Sequence, residues 1–229
     1  MYRLLLLLAL VLAAPSSAQS ARALNTEGFR LYQAGKYPEA LEKFEAAAKA
    51  DPKLALAHYN VAATLGVLRK KGLVCHHDAY RSTILERLNT AVRLDPRRLA
   101  RAKEDADLDP IRDTVGWQRL LGLSPEKQAD VPQLLRRVSW FSPGEGVYGS
   151  TRKLTFPEGQ RVVLWRRLIE DPNNPTRTEE VTGTYKVKGR DITLSFPGKK
   201  ALKGKMTPRG VLEFEELGTF LDSPSECEA

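Results

Sequence analysis

Histidine and cysteine are scarce, three and two among 229 residues. A dense disulfide scaffold is excluded on that count, and a metal site built from several such ligands has little to draw on. The catalytic signatures are missing as well. There is no Gly-x-Ser-x-Gly elbow, no His-Glu-x-x-His, no P-loop and no glycine-rich dinucleotide turn. Past the first twenty residues no apolar run is long enough to cross a bilayer. The formal charge is +8, yet Lys and Arg are interspersed with Asp and Glu along the chain. The clustered basic face that nucleic acid requires is not there. These absences lead us to expect no enzyme, no cofactor, no resident metal and no nucleic-acid partner.

What is present begins with a leader. Arg3 precedes the apolar run LLLLLALVLAA, and Ser16 and Ala18 place small residues where a signal peptidase cuts. Residues 1–18 are read as a signal peptide cleaved after Ala18. The mature protein is then expected to be periplasmic or secreted, without stable membrane insertion.

From Leu24 to Pro52 the period is helical. Leu24, Gly28 and Leu31 share one face, Gly35-Lys36-Tyr37-Pro38 makes a turn, and Ala40, Leu41, Phe44, Ala47 and Ala48 share a second face. Pro38 suits the first turn of a helix, where its missing N–H is no loss. Asp51-Pro52 stops the pair. Small residues at 28 and 40 beside large ones at 31 and 44 predict two closely packed antiparallel helices. This stretch resembles a tetratricopeptide repeat, with Gly28, Tyr37, Ala40, Phe44, Ala47 and Pro52 on the signature positions. A second copy runs from Leu54 to Asp95-Pro96, with Tyr59, Val61, Ala62 and Leu65 on its first helix and Ile84, Leu88, Ala91 and Val92 on its second. The two prolines lie 96 − 52 = 44 residues apart, against a family period of about 34. The surplus is assigned to Arg69–Tyr80. Two repeats are few, because each buries its face only by stacking on a neighbour. The segment to Leu121 is expected to supply a further layer, with Trp117 plugging the open end of the stack.

Gly122–Pro132 reads as a linker, after which the period falls to two. Val181, Tyr185 and Val187 alternate with Thr182, Thr184 and Lys186. On the preceding strand Val163 and Trp165 oppose Val162 and Leu164. Turns recur at Pro157–Gln160, Asp171–Pro175, Lys188–Arg190, Pro197-Gly198 and Pro208–Gly210. About six short strands in an antiparallel meander or small barrel are predicted. Gly183 and Tyr185 carry a loose resemblance to the lipocalin-like β-domains of bacterial envelope proteins. The fold class is therefore α+β: helices over residues 19–123 (repeats about 21–54 and 55–98, capping segment 99–123), a linker over 124–135 and an antiparallel β domain over 136–229.

Four features are candidates for function. The repeat resemblance implies a concave groove lined by first helices, here Asn25, Phe29, Tyr32 and Gln33 of the first repeat with Tyr59, Asn60 and Ala63 of the second. Asn60 matches a position that some family members use to hold a peptide carboxylate, while Asn25 and Phe29 replace the accompanying residues. The β domain offers Trp165, Tyr185, Phe196 and Phe214, as a ligand site for a small apolar molecule or simply as core. Cys75-His76-His77-Asp78 has ligating chemistry, but adjacent residues rarely all reach one ion, and a surface loop is the plainer reading. Cys75 and Cys227 are joined, free, or bonded to another chain. Joined, they would close a loop of 227 − 75 = 152 residues. His58 is read as a structural histidine at a helix interface. The preferred function is a non-catalytic protein–protein interaction or scaffold protein of a bacterial envelope, with the β-domain ligand site as the alternative.

Overall fold

The computed structural model describes residues 20–144, 151–168, 177–225 and 227. The leader and the Asp171–Pro175 loop lie outside the described residues. Helix α1 spans Ala21–Gln33, and the Ser20 hydroxyl caps it by accepting from the Ala23 N–H at 3.2 Å. Gly35, at φ +75°, turns the chain into α2, Tyr37–Ala50. The two pack so closely that a Cβ on Gly28 would sit 2.8 Å from the Phe44 ring. Ala40, Phe44 and Ala47 are buried on the facing side of α2.

The second hairpin is α3, Ala55–Lys70, with α4, Arg81–Leu94. The surplus predicted around Arg69–Tyr80 goes to both places available: α3 has 16 residues against 13 in α1, and its connection is 71–80 against 34–36. A further layer follows, made of α5 (Arg98–Glu104), a 3-10 turn over Ala106–Ile111 and α6 (Val115–Leu120). Ala102, Leu108, Ile111 and Trp117 join the same apolar core as α1–α4. This layer covers the open side of α3, the packing that two isolated repeats would lack.

The predicted linker is more ordered than its composition suggested. It holds a 3-10 turn at Gln128–Asp130 and opens α7, Val131–Arg137. Val131, Leu134 and Leu135 are fully buried in the core of the β domain. Pro132 is compatible with this because Pro is well accommodated in a first helical turn. The β domain has eight strands in sequential order: β1 Trp140–Phe141, β2 Arg152–Thr155, β3 Arg161–Leu168, β4 Arg177–Lys188, β5 Asp191–Ser195, β6 Leu202–Met206, β7 Leu212–Phe214 and β8 Gly218–Phe220. The two beyond the expected six, β1 and β8, are too short to show alternation. Phe141 and Leu221 exchange both backbone hydrogen bonds at 2.7 Å, joining the two ends of the meander into a nearly closed barrel. Its interior is filled by side chains, including edge-to-face pairs of Phe156 with Tyr185 and Phe214 with Phe220.

Helix α6 is the joint between the two parts. Val115 enters the barrel core and Trp117 the helical core. The tail after β8 straps the joint. The Asp222 carboxylate accepts from the Val115 N–H at 2.8 Å, and the Asp222 carbonyl accepts from Arg81 at 2.9 Å. Arg81 also pairs with Asp113 at 2.9 Å. Cys227 is bonded to Cys75 in the 71–80 connection, with Cα atoms 5.5 Å apart. A link across 152 residues lowers the entropy of the unfolded chain by the equivalent of about 5 kcal/mol in the chain-entropy model.

Candidate partner-binding groove

Helices α1, α3 and α5 border a concave face with a cavity of about 270 Å³. Helical spacing explains which side chains reach it. Phe29 and Tyr32 are three apart on α1, and on α3 Ala63 stands four residues after Tyr59 and three after Asn60, so each set borders one face. Five of the seven groove residues expected from sequence line this cavity: Phe29, Tyr32, Tyr59, Asn60 and Ala63. Gln33 is exposed and lies outside it, one position further round α1. Asn25 is buried beneath it and accepts a hydrogen bond from the Asn60 side chain at 2.9 Å. That bond engages the Asn60 amide within the protein, so the residue matching a carboxylate-holding position serves here to tie α3 to α1.

Sequence reading missed the far wall, which comes from the third layer. Asp105 and Asp107 each face one groove tyrosine and one cation. The Tyr59 hydroxyl donates to Asp105 at 2.7 Å, with Arg101 at 4.0 Å. The Tyr32 hydroxyl donates to Asp107, with Lys70 at 3.3 Å. Lys70 also donates to the Ala106 carbonyl at 3.0 Å. Burial, then the hydrogen bond to the neighbouring carboxylate, raises both phenol pKa values well above the ordinary tyrosine range. Both hydroxyls therefore stay protonated as donors. The signal available in the sequence was the i, i+2 spacing of two carboxylates directly after a short helix, but only the stacking of the third layer on α3 shows where they point.

With the tyrosines committed to this wall, the open surface belongs to others. Phe29 is 49% exposed, unusual for a large apolar side chain. Leu56 is half-buried and Arg101 projects, its side chain 67% exposed. The groove is therefore apolar on the α1 side and of mixed charge on the far side, where Arg98 and Arg101 stand beside Asp105 and Asp107.

The other candidate residues are placed apart. Tyr185, Phe196 and Phe214 are core residues of the barrel, while Trp165 stands on its outer face. Register explains the separation. Leu164 pairs with Val181 and Val162 with Gly183 on the inner side, so Val163 between them and Trp165 just beyond Leu164 face out. A separate cavity of about 560 Å³ is bordered by Leu164, Val181, Phe196, Leu202 and Leu217. Its rim also carries the Arg166–Glu179 pair at 2.9 Å. The Cys75 sulfur is taken up by its bond to Cys227, and no metal-ligating cluster occurs among the described residues. His58 is buried, with Nε2 3.0 Å from the Pro52 carbonyl. Among the described residues no helix is long and apolar enough to cross a membrane.

Comparison with known families agrees with the helical geometry. Residues 28–66, from the middle of α1 to the last turns of α3, match the family model described as TPR repeat. No curated protein and no solved structure matches the chain significantly. Repeats of this kind are typically protein-interaction modules without catalysis of their own. The chain is thus a TPR-containing protein, with its repeat region joined to an eight-stranded antiparallel, nearly closed barrel.

Proposed function

We propose that the protein is a non-catalytic interaction or scaffold protein of a bacterial envelope, and that its groove binds a segment of a partner protein. The observation that carries this reading is Phe29, an exposed aromatic on the concave side of a TPR repeat, beside a cavity whose far wall carries both arginines and carboxylates. An exposed aromatic gives large contact area with little side-chain entropy to lose. Tyr32 and Tyr59 are unsuited to testing the site, because their hydroxyls hold the third layer in place. Phe29 holds nothing comparable. A photoreactive residue introduced at 29, with a control at Glu216 on the barrel, should capture one defined partner from position 29 alone. The purified partner should bind the Phe29→Ala protein about tenfold or more weakly, with its melting temperature unchanged. Equal capture from both positions, or unchanged affinity, refutes the groove.

Export is part of this proposal. Arg3, the apolar run and Ala18 support it, and N-terminal sequencing of the exported protein should read Gln19 first. An intact Met1 in the cytoplasmic fraction would refute export. The second reading is a small apolar ligand held by the β domain, favoured by the cavity beside Leu164 and Phe196. Native mass spectrometry after incubation with fatty acids decides it, because a ligand-free mass leaves no support for uptake.

A further inference from the structure

The chain has three tryptophans, and two are core residues: Trp117 at 3% exposure and Trp140 at 0%. Trp165 serves neither core. It lies on the outer face of the barrel, with Val163 and Arg167 beside it on β3. Strand register extends that position into a row. Phe141 on β1 is opposite Lys153 on β2, Lys153 is opposite Trp165, and Trp165 is opposite Glu180 on β4. Four adjacent strands thus present an aromatic, a cation, an aromatic and a carboxylate in line. The row borders a cavity of about 600 Å³, with Thr155 beside it and the tail residues Pro224 and Ser225 as one wall. The Lys153 ammonium lies 5.2 Å from the centre of the Phe141 ring, and the Arg167 guanidinium 5.9 Å from that of Trp165. Elsewhere on the outer face of β4, Thr182, Thr184 and Lys186 give an ordinary solvated surface. The fold therefore does not demand a tryptophan here.

We infer that this face binds an acidic oligosaccharide, a chain of sugar rings bearing carboxylates. Trp165, half-buried on the cavity wall, offers a flat surface for the C–H side of a sugar ring. Lys153 and Arg167 supply the charge for its carboxylates; with Arg152 the lining carries three cations against the single Glu180. Glu180, Thr155 and Ser225 have the chemistry to exchange hydrogen bonds with hydroxyl groups. A fully apolar ligand would desolvate these charged groups without repaying them. An extended peptide would need a free sheet edge for its backbone, and here β2 and β3 are paired on both sides. A sugar chain needs only side chains, which is what the face provides.

The site is readable in the intact mature protein because the other two tryptophans are buried. Titration with a hexamer of galacturonic acid should change tryptophan emission saturably. The Lys153→Gln, Arg167→Gln double variant should weaken binding about tenfold or more. By calorimetry, Trp165→Phe should retain binding that Trp165→Ala loses, with both variants keeping the near-UV circular dichroism of the parent. The neutral hexamer cellohexaose should not compete. The inference is overturned if galacturonate gives no saturable signal by either method at millimolar concentration. It is overturned equally if cellohexaose or hexaglutamate binds as tightly, or if the variants bind unchanged.

Discussion

Gly66 is the most exacting position in the helical part, and Gly66→Ala tests how the groove is built. In an exposed helix the change would stabilise by about 1 kcal/mol, because glycine has more backbone freedom to lose. Here the added Cβ would sit 1.9 Å from the Asp107 carbonyl oxygen and 3.0 Å from its carbon. Both are backbone atoms, so no side-chain rotation relieves the clash. The 3-10 turn would have to retreat by more than an ångström to restore van der Waals distance. It carries Leu108 and Ile111, both fully buried, and the acceptors of Tyr32 and Lys70. Overpacking of this kind costs about 1–3 kcal/mol, and partial exposure of either apolar side chain adds to it at about 1.5–3 kcal/mol for full exposure. Set against the propensity gain, the net expectation is a loss of about 2 kcal/mol or more. That corresponds to a fall in melting temperature of about 4–8 °C for a chain of this size. Urea unfolding followed by circular dichroism measures the loss. A stabilised Gly66→Ala protein would show that the Asp105–Ile111 segment does not dock on α3, and the acidic wall of the groove would go with it.

Three other expectations concern the barrel and the joint. Leu134→Ala should cost about 3 kcal/mol in urea unfolding, as for other buried leucines, because α7 is part of the barrel core; a loss within about 0.5 kcal/mol, usual for a surface position, would restore the linker reading. Replacing both Cys75 and Cys227 with serine should lower stability by about 5 kcal/mol at most, and adding a dithiol reductant to the parent should lower its urea midpoint in the same direction; an unmoved midpoint in both refutes the stabilising link. Burial raises the Asp222 carboxyl above its ordinary value of 3.8, against the opposing pull of the Val115 N–H and Arg81. A group with a raised folded-state pKa contributes stability that is full below its unfolded value and lost as pH rises through the folded one. Melting temperatures of the parent relative to Asp222→Asn should therefore shift in favour of the parent as pH falls from 7 toward 4. A constant or opposite difference would refute the buried placement.

The parts of this protein that are legible in its sequence are those governed by local periodicity. Gly28, Ala40, Phe44 and Ala47 announce a tight helical hairpin because small and large residues at helical spacing admit few other packings, and Val181 to Val187 announce a strand because alternation admits one buried face. The groove itself was implied by the repeat resemblance rather than by periodicity, and five of the seven residues it named border the cavity. What sequence left undecided depends on contacts between distant segments. Asp105 and Asp107 lie 46 and 75 residues from the tyrosines they hold, and nothing local marks them as a groove wall. Leu134 and Leu135 follow the prolines that suggest a linker, and only the barrel they enter makes them core. Trp165 was assigned to the face opposite Leu164, yet which face turned outward was set by the closure of eight strands around a core that holds Val162 and Leu164. Periodicity determines which side chains travel together, whereas tertiary packing decides what each set meets.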